Sequence, residues 1–168
     1  MAFDFKKEYK EFYMPKNTPD IVTVPKANYI AVRGKGNPNQ EGGAYQQAVG
    51  ILYAIAYTLK MSCKSEHKIA GFFEYVVPPL EGFWWQDGVE GCDYSVKEEF
   101  NWISVMPFDD EPATVAIMNQ YIEENGYKND FSNGRLHHEI YMSDVRKVAP
   151  EKWKTVIRHP IKKRNLKV

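Results

Sequence analysis

The sequence predicts an α+β fold in which helices cover one face of an antiparallel sheet. Residues 44–60 and 107–127 repeat apolar side chains at three- and four-residue steps, as packed helices do. Shorter segments rich in Val, Ile and aromatic residues predict strands. The order is strand, helix, strand, strand, then helix, strand, strand. It corresponds to a β-α-β-β unit followed by a second copy without its first strand.

Composition limits the classes of protein. The chain has 168 residues, enough for one domain, with 43% hydrophobic and 26% charged residues, as soluble globular proteins have. Lys+Arg and Asp+Glu both number 22, so an excess of positive charge for direct nucleic-acid binding is absent. No apolar run reaches the ~20 residues of a membrane span, and no export signal is seen. We therefore expect a cytoplasmic protein without a membrane partner. Cys63 and Cys92 are expected to be reduced thiols, with a single disulfide as the alternative.

The first elements are a lead-in, a strand and a turn. Residues 1–20 form a charged lead-in, and "IVTVPKANYIAVRG" at 21–34 predicts the first strand, interrupted at Pro25. The turn "GKGNPNQEGG" matches neither a Walker loop nor a Rossmann fingerprint. Asn37 within this turn is available to edge a pocket.

The first helix has a clear apolar stripe. Gly50 within it suggests close packing at that point, because glycine otherwise costs about 1 kcal/mol relative to alanine in a helix. The side chains expected to be buried are those of Ala48, Ile51, Leu52, Ile55 and Leu59.

Two extended segments follow. In "GFFEYVVPPLEGFWW" the Pro78-Pro79 pair excludes a helix. Trp84 and Trp85 point to opposite faces of a strand, so one is expected in the core and the other at a cavity wall or an interface. "DYSVKEEFNWISVM" ends in a strand at 100–106.

The second helix has recognisable ends. Acidic residues at 109–111 suit its positive N-terminus, Pro112 suits the first turn and Gly126 suits a left-handed C-terminal cap. Its buried side is expected to contain Val115, Met118 and Ile122. "KWKTVIRHPI" predicts the last strand, before a basic tail at 162–168.

The strand "HHEIYMSD" at 137–144 raises the main functional question. Alternation places Glu139 and Tyr141 on one face and Ile140 and Met142 on the other. Glu139 is simply solvated if the Ile140 face is inside. If the Glu139 face lines a cavity, the carboxylate can bind a cation or act as a general base. The adjacent histidines at 137–138 point apart and no C-x-x-C occurs, so neither a metal nor another cofactor is predicted.

Seven segments, in this order, resemble the GyrI-like small-molecule-binding family in its stand-alone form, over most of the chain from 28 to 161. They are "NYIAVRGKGNPN", "LYAIAYTLK", "YVVPPLEGFWW", "FNWISVM", "PFDDEPAT", "HHEIYMSD" and "KTVIRHPI". The resemblance implies two SHS2-like β-α-β-β modules, 21–106 and 107–161, with pseudo-two-fold symmetry around a central ligand cavity. Relatives of this family include the drug-binding domains of multidrug-sensing transcription regulators and cyclopropanoid hydrolases.

The resemblance also implies a function. It implies binding of hydrophobic, aromatic and sometimes cationic small molecules. The alternatives are a hydrolase that opens the cyclopropane ring of DNA-alkylating natural products and, third, a protein-binding inhibitor of a DNA-processing enzyme. The family's central carboxylate matches Glu139, with Tyr141 as its candidate catalytic partner. The aromatic wall matches Trp84 or Trp85, together with Tyr75 and Trp102.

One departure from the family concerns the second module. Met106 is followed directly by Pro107, where family members carry several tens of further residues. Either the protein lacks this segment, through a natural or an engineered deletion, or the protein contains it and the sequence omits it. Its loss would leave a sheet edge unpaired and favour a homodimer formed by strand addition.

Overall fold

The computed structural model describes residues 2–66, 69–103, 112–143, 148–149 and 152–164. The helices are α1 (Phe5–Glu8), α2 (Lys10–Tyr13), α3 (Ala44–Met61) and α4 (Pro112–Glu124), with 3-10 turns at Ser62–Lys64 and Lys97–Glu99. The strands are β1 (Arg33–Lys35), β2 (Leu80–Trp85), β3 (Asn101–Ile103), β4 (Tyr127–Asn129), β5 (His137–Tyr141), β6 (Thr155–Arg158) and β7 (Ile161–Lys163).

The main sheet is antiparallel throughout, in the order β1-β3-β2-β5-β6, and β4 pairs separately with β7. The predicted α+β class is therefore confirmed. Strands β2 and β5 lie at the centre of the sheet, where both faces are covered. Every residue of β5 is buried.

Helix α3 packs on one face of the sheet and forms the core with it. Tyr45 and Ala48 of α3 pack against Trp84 and Trp102, and Leu52 packs against Tyr141. The stripe that faces the sheet is centred on these three helix residues. Ile51 and Ile55 lie to one side of it and are 52% and 37% exposed, so their predicted burial is wrong.

The predicted close packing at Gly50 is also wrong, because a Cβ atom at Gly50 would meet no atom within 4 Å. In α4 the prediction agrees better. Ile122 is buried, Val115 and Met118 are partly buried, and Gly126 has a φ of +78° after the helix end.

The predicted strand at 21–34 is mostly wrong, because regular pairing begins only at Arg33. Pro25 has no N–H to donate to a ladder, and Val22, Val24 and Ile30 have exposed side chains. The predicted last strand is divided into β6 and β7, which are separated by Pro160. The junction of Met106 and Pro107, with the departure from the family found there, lies outside the described residues.

The N-terminal residues return to the body of the protein. Phe3 exchanges backbone hydrogen bonds with Glu74 and Val76, both of 2.8 Å. Cys63 and Cys92 are not joined in a disulfide, so the alternative of a disulfide between them is wrong. No helix among the described residues has the length and apolarity needed to cross a membrane.

Candidate functional site

The face of the sheet under α3 contains a buried carboxylate. Glu139 lies on central strand β5, opposite Gly82 on β2 and Ile157 on β6, and is 4% exposed. His137 and Tyr141 share this face because side chains alternate along a strand. A carboxylate is seldom buried without partners, so its contacts define the site.

The contacts of Glu139 form a chain of five side chains. Its Oε1 lies 2.8 Å from His137 Nε2, and its Oε2 accepts a hydrogen bond from the Tyr141 hydroxyl. Tyr141 in turn accepts a hydrogen bond from Trp84 Nε1 over 3.1 Å. On the other side, His137 Nδ1 lies 2.9 Å from His159 Nε2.

One distribution of protons satisfies all four contacts. His159 donates to His137, His137 donates to Glu139, and Tyr141 also donates to Glu139 while accepting from Trp84. In this arrangement both histidines are neutral and Glu139 is ionised. In this arrangement the carboxylate of Glu139 can accept a proton, and the adjacent phenol of Tyr141 can donate one.

Tyr45 of α3 covers this chain. Its ring packs at centroid distances of 5.2 Å from Trp84 and 5.1 Å from Trp102. Burial raises the pKa of Tyr45 well above 10.0, and the charge of Glu139 raises it further. Tyr45 is thus a neutral phenol at physiological pH.

The opposite face of the sheet contains a second buried carboxylate, Glu81 of β2. Its Oε1 accepts a hydrogen bond of 3.0 Å from the Tyr13 hydroxyl, and its Oε2 lies 2.9 Å from His138 Nε2. The ring of His138 stacks on Phe83 at 4.1 Å. Burial lowers the pKa of His138 from 6.5, and this outweighs the opposing effect of Glu81.

Glu81 also lines a cavity of about 870 Å³. The cavity extends from this face of the sheet to the side of α3, under the N-terminal segment. Most of its lining is aromatic or aliphatic. Among the lining residues are Tyr13, Lys26, Tyr29, Leu52, Ala56, Leu59, Tyr75, Val77, Leu80, Glu81 and Arg158.

A smaller cavity of about 450 Å³ lies beside Trp84 and Trp85, near Phe131. The guanidinium group of Arg33 lies 5.0 Å from the centre of the Trp85 ring. Arg135 also lines this cavity and forms an ion pair with Asp130 over 2.7 Å.

The structure brings together only some of the predicted site residues. Glu139, Tyr141 and Trp84 are joined by hydrogen bonds, and Trp102 lies next to Trp84 within the core. Neither Glu139 nor Tyr141 lines the large cavity. Tyr141 packs on Leu52 and Leu80, and both of these residues line the large cavity. The hydrogen-bonded side chains around Glu139 therefore lie one layer of side chains behind the cavity wall.

The other predicted residues lie apart from this group. Tyr75 lines the large cavity, whereas Trp85 lines the small one. The amide of Asn37 bonds to Glu98, and its Oδ1 caps the turn at Asn39.

The polar group at the end of the large cavity was not predicted from the sequence. Glu81, Tyr13, His138 and Arg158 come from four separated parts of the chain. Glu81 alone offered a signal, as an isolated carboxylate in the apolar strand "LEGFWW". Among the described residues, no group of three or more His, Cys, Asp or Glu side chains is placed to hold a metal ion.

Comparison with known proteins gives close relatives among solved structures. No protein-family model and no curated protein matches the chain. A crystal structure of an uncharacterized conserved protein from Listeria innocua superposes with a TM-score of 0.86 at 38% identity, covering 96% of this chain and 100% of the other. Two crystal structures of hydrolases from Listeria innocua match with the same coverage at 37% identity, with TM-scores of 0.80 and 0.83. At this identity and coverage, the chain belongs to the same protein family as these Listeria innocua proteins.

Proposed function

We propose that the protein is a GyrI-like small-molecule-binding protein whose ligand, a bulky and largely apolar aromatic compound, occupies the large cavity. The observation that carries the proposal is the cavity of about 870 Å³ with its mostly aromatic and aliphatic lining. Pockets for drug-sized ligands typically measure about 300–1,000 Å³ and combine apolar walls with a few polar groups. The proposal includes the two pseudo-symmetric modules, 21–106 and 107–161, that the family resemblance implies.

In this proposal the aromatic side chains of the wall stack on the ligand. Tyr29 and Tyr75 present rings at the cavity, and burial raises the pKa of both phenols, so both stay neutral. Glu81 and Arg158 supply the polar end that orients the ligand.

Filling the cavity tests the proposal. N-phenyl-1-naphthylamine is an uncharged aromatic probe that fluoresces more strongly in apolar surroundings. Ala56 lines the cavity, so Ala56→Trp should occupy the space and weaken binding at least ~10-fold. Ala54 lies on the exposed side of the same helix, so Ala54→Trp should bind the probe as the wild type does. Equal binding by both variants would exclude the cavity as the ligand site.

The second candidate function is hydrolysis, because two relatives at 37% identity are hydrolases. The Glu139 chain offers suitable chemistry for opening the cyclopropane ring of a DNA-alkylating compound. Glu139 takes a proton from water as the water oxygen bonds to a ring carbon. The ring C–C bond breaks, its electron pair moves to the conjugated carbonyl oxygen, and Tyr141 protonates that oxygen. Proton transfer from Glu139 to Tyr141 restores both groups.

This reaction requires access through the layer formed by Leu52 and Leu80. The test is multiple turnover of excess cyclopropane-bearing alkylator, followed by mass spectrometry of the ring-opened product. Glu139→Gln and Tyr141→Phe should each lose turnover while still binding N-phenyl-1-naphthylamine, because neither residue lines the cavity. Product limited to the amount of protein would leave binding as the function, and unchanged turnover in both variants would exclude these roles.

A further inference from the structure

The charged groups around the large cavity are few. Among its described lining residues, only Lys26, Glu81 and Arg158 carry charge at neutral pH. His138 contacts Glu81 but is neutral, because burial lowers its pKa. The cavity is therefore not an acidic pocket, although a buried carboxylate lies in its wall.

The sheet register places Arg158 beside Glu81. Arg158 of β6 pairs with His138 of β5, and His138 pairs with Phe83 of β2, so these side chains share one face. Glu81 lies two residues before Phe83 on this face and reaches His138 over 2.9 Å. Arg158 and Glu81 thus belong to the two strands that flank β5, share the face of His138 and line the same cavity.

Contacts with the N-terminal segment hold Arg158 in place. Its Nη2 donates a hydrogen bond to the carbonyl oxygen of Phe12, and its guanidinium carbon lies 6.0 Å from the centre of the Phe12 ring. Burial lowers the pKa of Arg158 from 12.5, and the charge of Glu81 opposes this effect. An arginine stays protonated in proteins, so the cavity wall contains a fixed positive charge as well as the carboxylate of Glu81.

A cationic ligand in this cavity would lose its hydration without gaining a free counter-charge. Glu81 already accepts hydrogen bonds from Tyr13 and His138, and the positive charge of Arg158 lies in the wall of the same cavity. Bringing a further positive charge near Arg158 and Lys26 is unfavourable in a cavity of low polarity. An uncharged ligand incurs neither cost and can still exchange a hydrogen bond with the pair.

We propose that Arg158 and Glu81 form a specificity-determining pair that makes the large cavity select uncharged aromatic ligands against cationic ones. The proposal rests on the proposed binding of a ligand in the large cavity. Arg158 rejects the cation by repulsion, which is a common way of building specificity. It differs from the family expectation of a central carboxylate that attracts cations.

Three matched probes test the proposal by fluorescence titration. They are uncharged N-phenyl-1-naphthylamine, its anionic sulfonate 8-anilinonaphthalene-1-sulfonate, and the same scaffold with a trimethylammonium group at that position. In the wild type the cationic probe should bind at least ~10-fold more weakly than the uncharged one. Arg158→Gln should reduce this difference in affinity, because it should improve binding of the cationic probe. Glu81→Gln should improve binding of the anionic probe.

Conservative and remote variants separate charge from folding. Arg158→Lys keeps the positive charge and should retain the preference. Arg164 is exposed and paired with Glu123 over 2.7 Å, so Arg164→Gln controls for the loss of a distant arginine. Circular dichroism checks that each variant is folded. A wild-type protein that binds the cation as tightly as the uncharged probe overturns the selectivity but leaves ligand binding intact, whereas no binding of any probe overturns both proposals.

Discussion

The buried carboxylates of Glu81 and Glu139 each have a histidine partner. Because side chains alternate along a strand, the two pairs lie on opposite faces of the sheet. Glu139 and His137 face α3, whereas Glu81 and His138 face the other side of the same central strands. Alternation within "HHEIYMSD" is sufficient to predict that Glu139 and Tyr141 share a face. The pairing of His138 with Glu81 depends on the register of β5 against β2, which no local pattern determines.

His138 makes the stability of the protein depend on pH. The pKa of His138 is lower in the folded state than its ordinary value of 6.5, which applies in the unfolded state. At pH values below about 6.5 the unfolded state therefore binds the proton more readily than the folded state. This contribution to the unfolding free energy is fully present above pH ~6.5 and decreases as the pH falls, by at most about 1.4 kcal/mol per pH unit.

Urea unfolding of the wild type and of His138→Gln between pH 5 and 7.5 measures this effect. The variant should show the smaller pH dependence, because glutamine can still donate to Glu81 but does not titrate. Equal slopes for the two proteins would show that His138 has an ordinary pKa in the folded state.

At the scale of elements, β1 and α3 differ in how tightly their glycines are surrounded. A Cβ atom at Gly34 would lie 2.4 Å from the ring of Trp102, which is 1% exposed. The ring cannot move without disturbing Tyr45. Gly34→Ala should therefore lower the unfolding free energy by about 1–3 kcal/mol, as overpacking of a core does. A change below a few tenths of a kcal/mol in urea unfolding would contradict the close contact.

Gly50 in α3 gives the opposite expectation. A Cβ atom there meets nothing within 4 Å, and alanine is preferred to glycine in a helix by about 1 kcal/mol. Gly50→Ala should therefore raise the unfolding free energy by about that amount. A lower unfolding free energy for Gly50→Ala in urea would contradict the open space around Gly50.

The elements were predicted best where local rules and packing agree. The periodicity of α3 and α4 and the alternation of β5 are local properties of the sequence, and all three elements are present, although α3 leaves Ile51 and Ile55 exposed. The segment 21–32 has Val and Ile in a strand-like pattern, but it borders a cavity instead of pairing. Its path depends on contacts with residues distant in sequence, such as the wall formed by Tyr13 and Glu81.

At the scale of the whole molecule, the N-terminal segment completes the wall of the large cavity. Residues 5–13 and 24–30 supply much of the lining, and two side-chain contacts, Tyr13 to Glu81 and Arg158 to Phe12, connect this segment to the sheet. The sequence predicted only a charged lead-in at 1–20, because the apolar partners of its aromatic residues lie elsewhere in the chain.

A bound ligand should therefore protect this segment from proteolysis. Lys26 lines the cavity within a segment that has no regular secondary structure. Saturation with N-phenyl-1-naphthylamine should slow tryptic cleavage after Lys26 several-fold, because cleavage requires the segment to leave the ligand. Cleavage after the distant Arg164 serves as the control. Equal protection at both sites would indicate a general effect on the protease or on stability.

The position of a bound ligand tests the central claim most directly. Nuclear Overhauser effects between N-phenyl-1-naphthylamine and methyl groups report which side chains lie against it. Ligand binding in the large cavity predicts contacts with the methyl groups of Leu52, Ala56, Leu59 and Val77, which line it. Contacts only with Val89 and Leu136, which line the small cavity beside Trp85, or with the exposed Ile117 would contradict the claim.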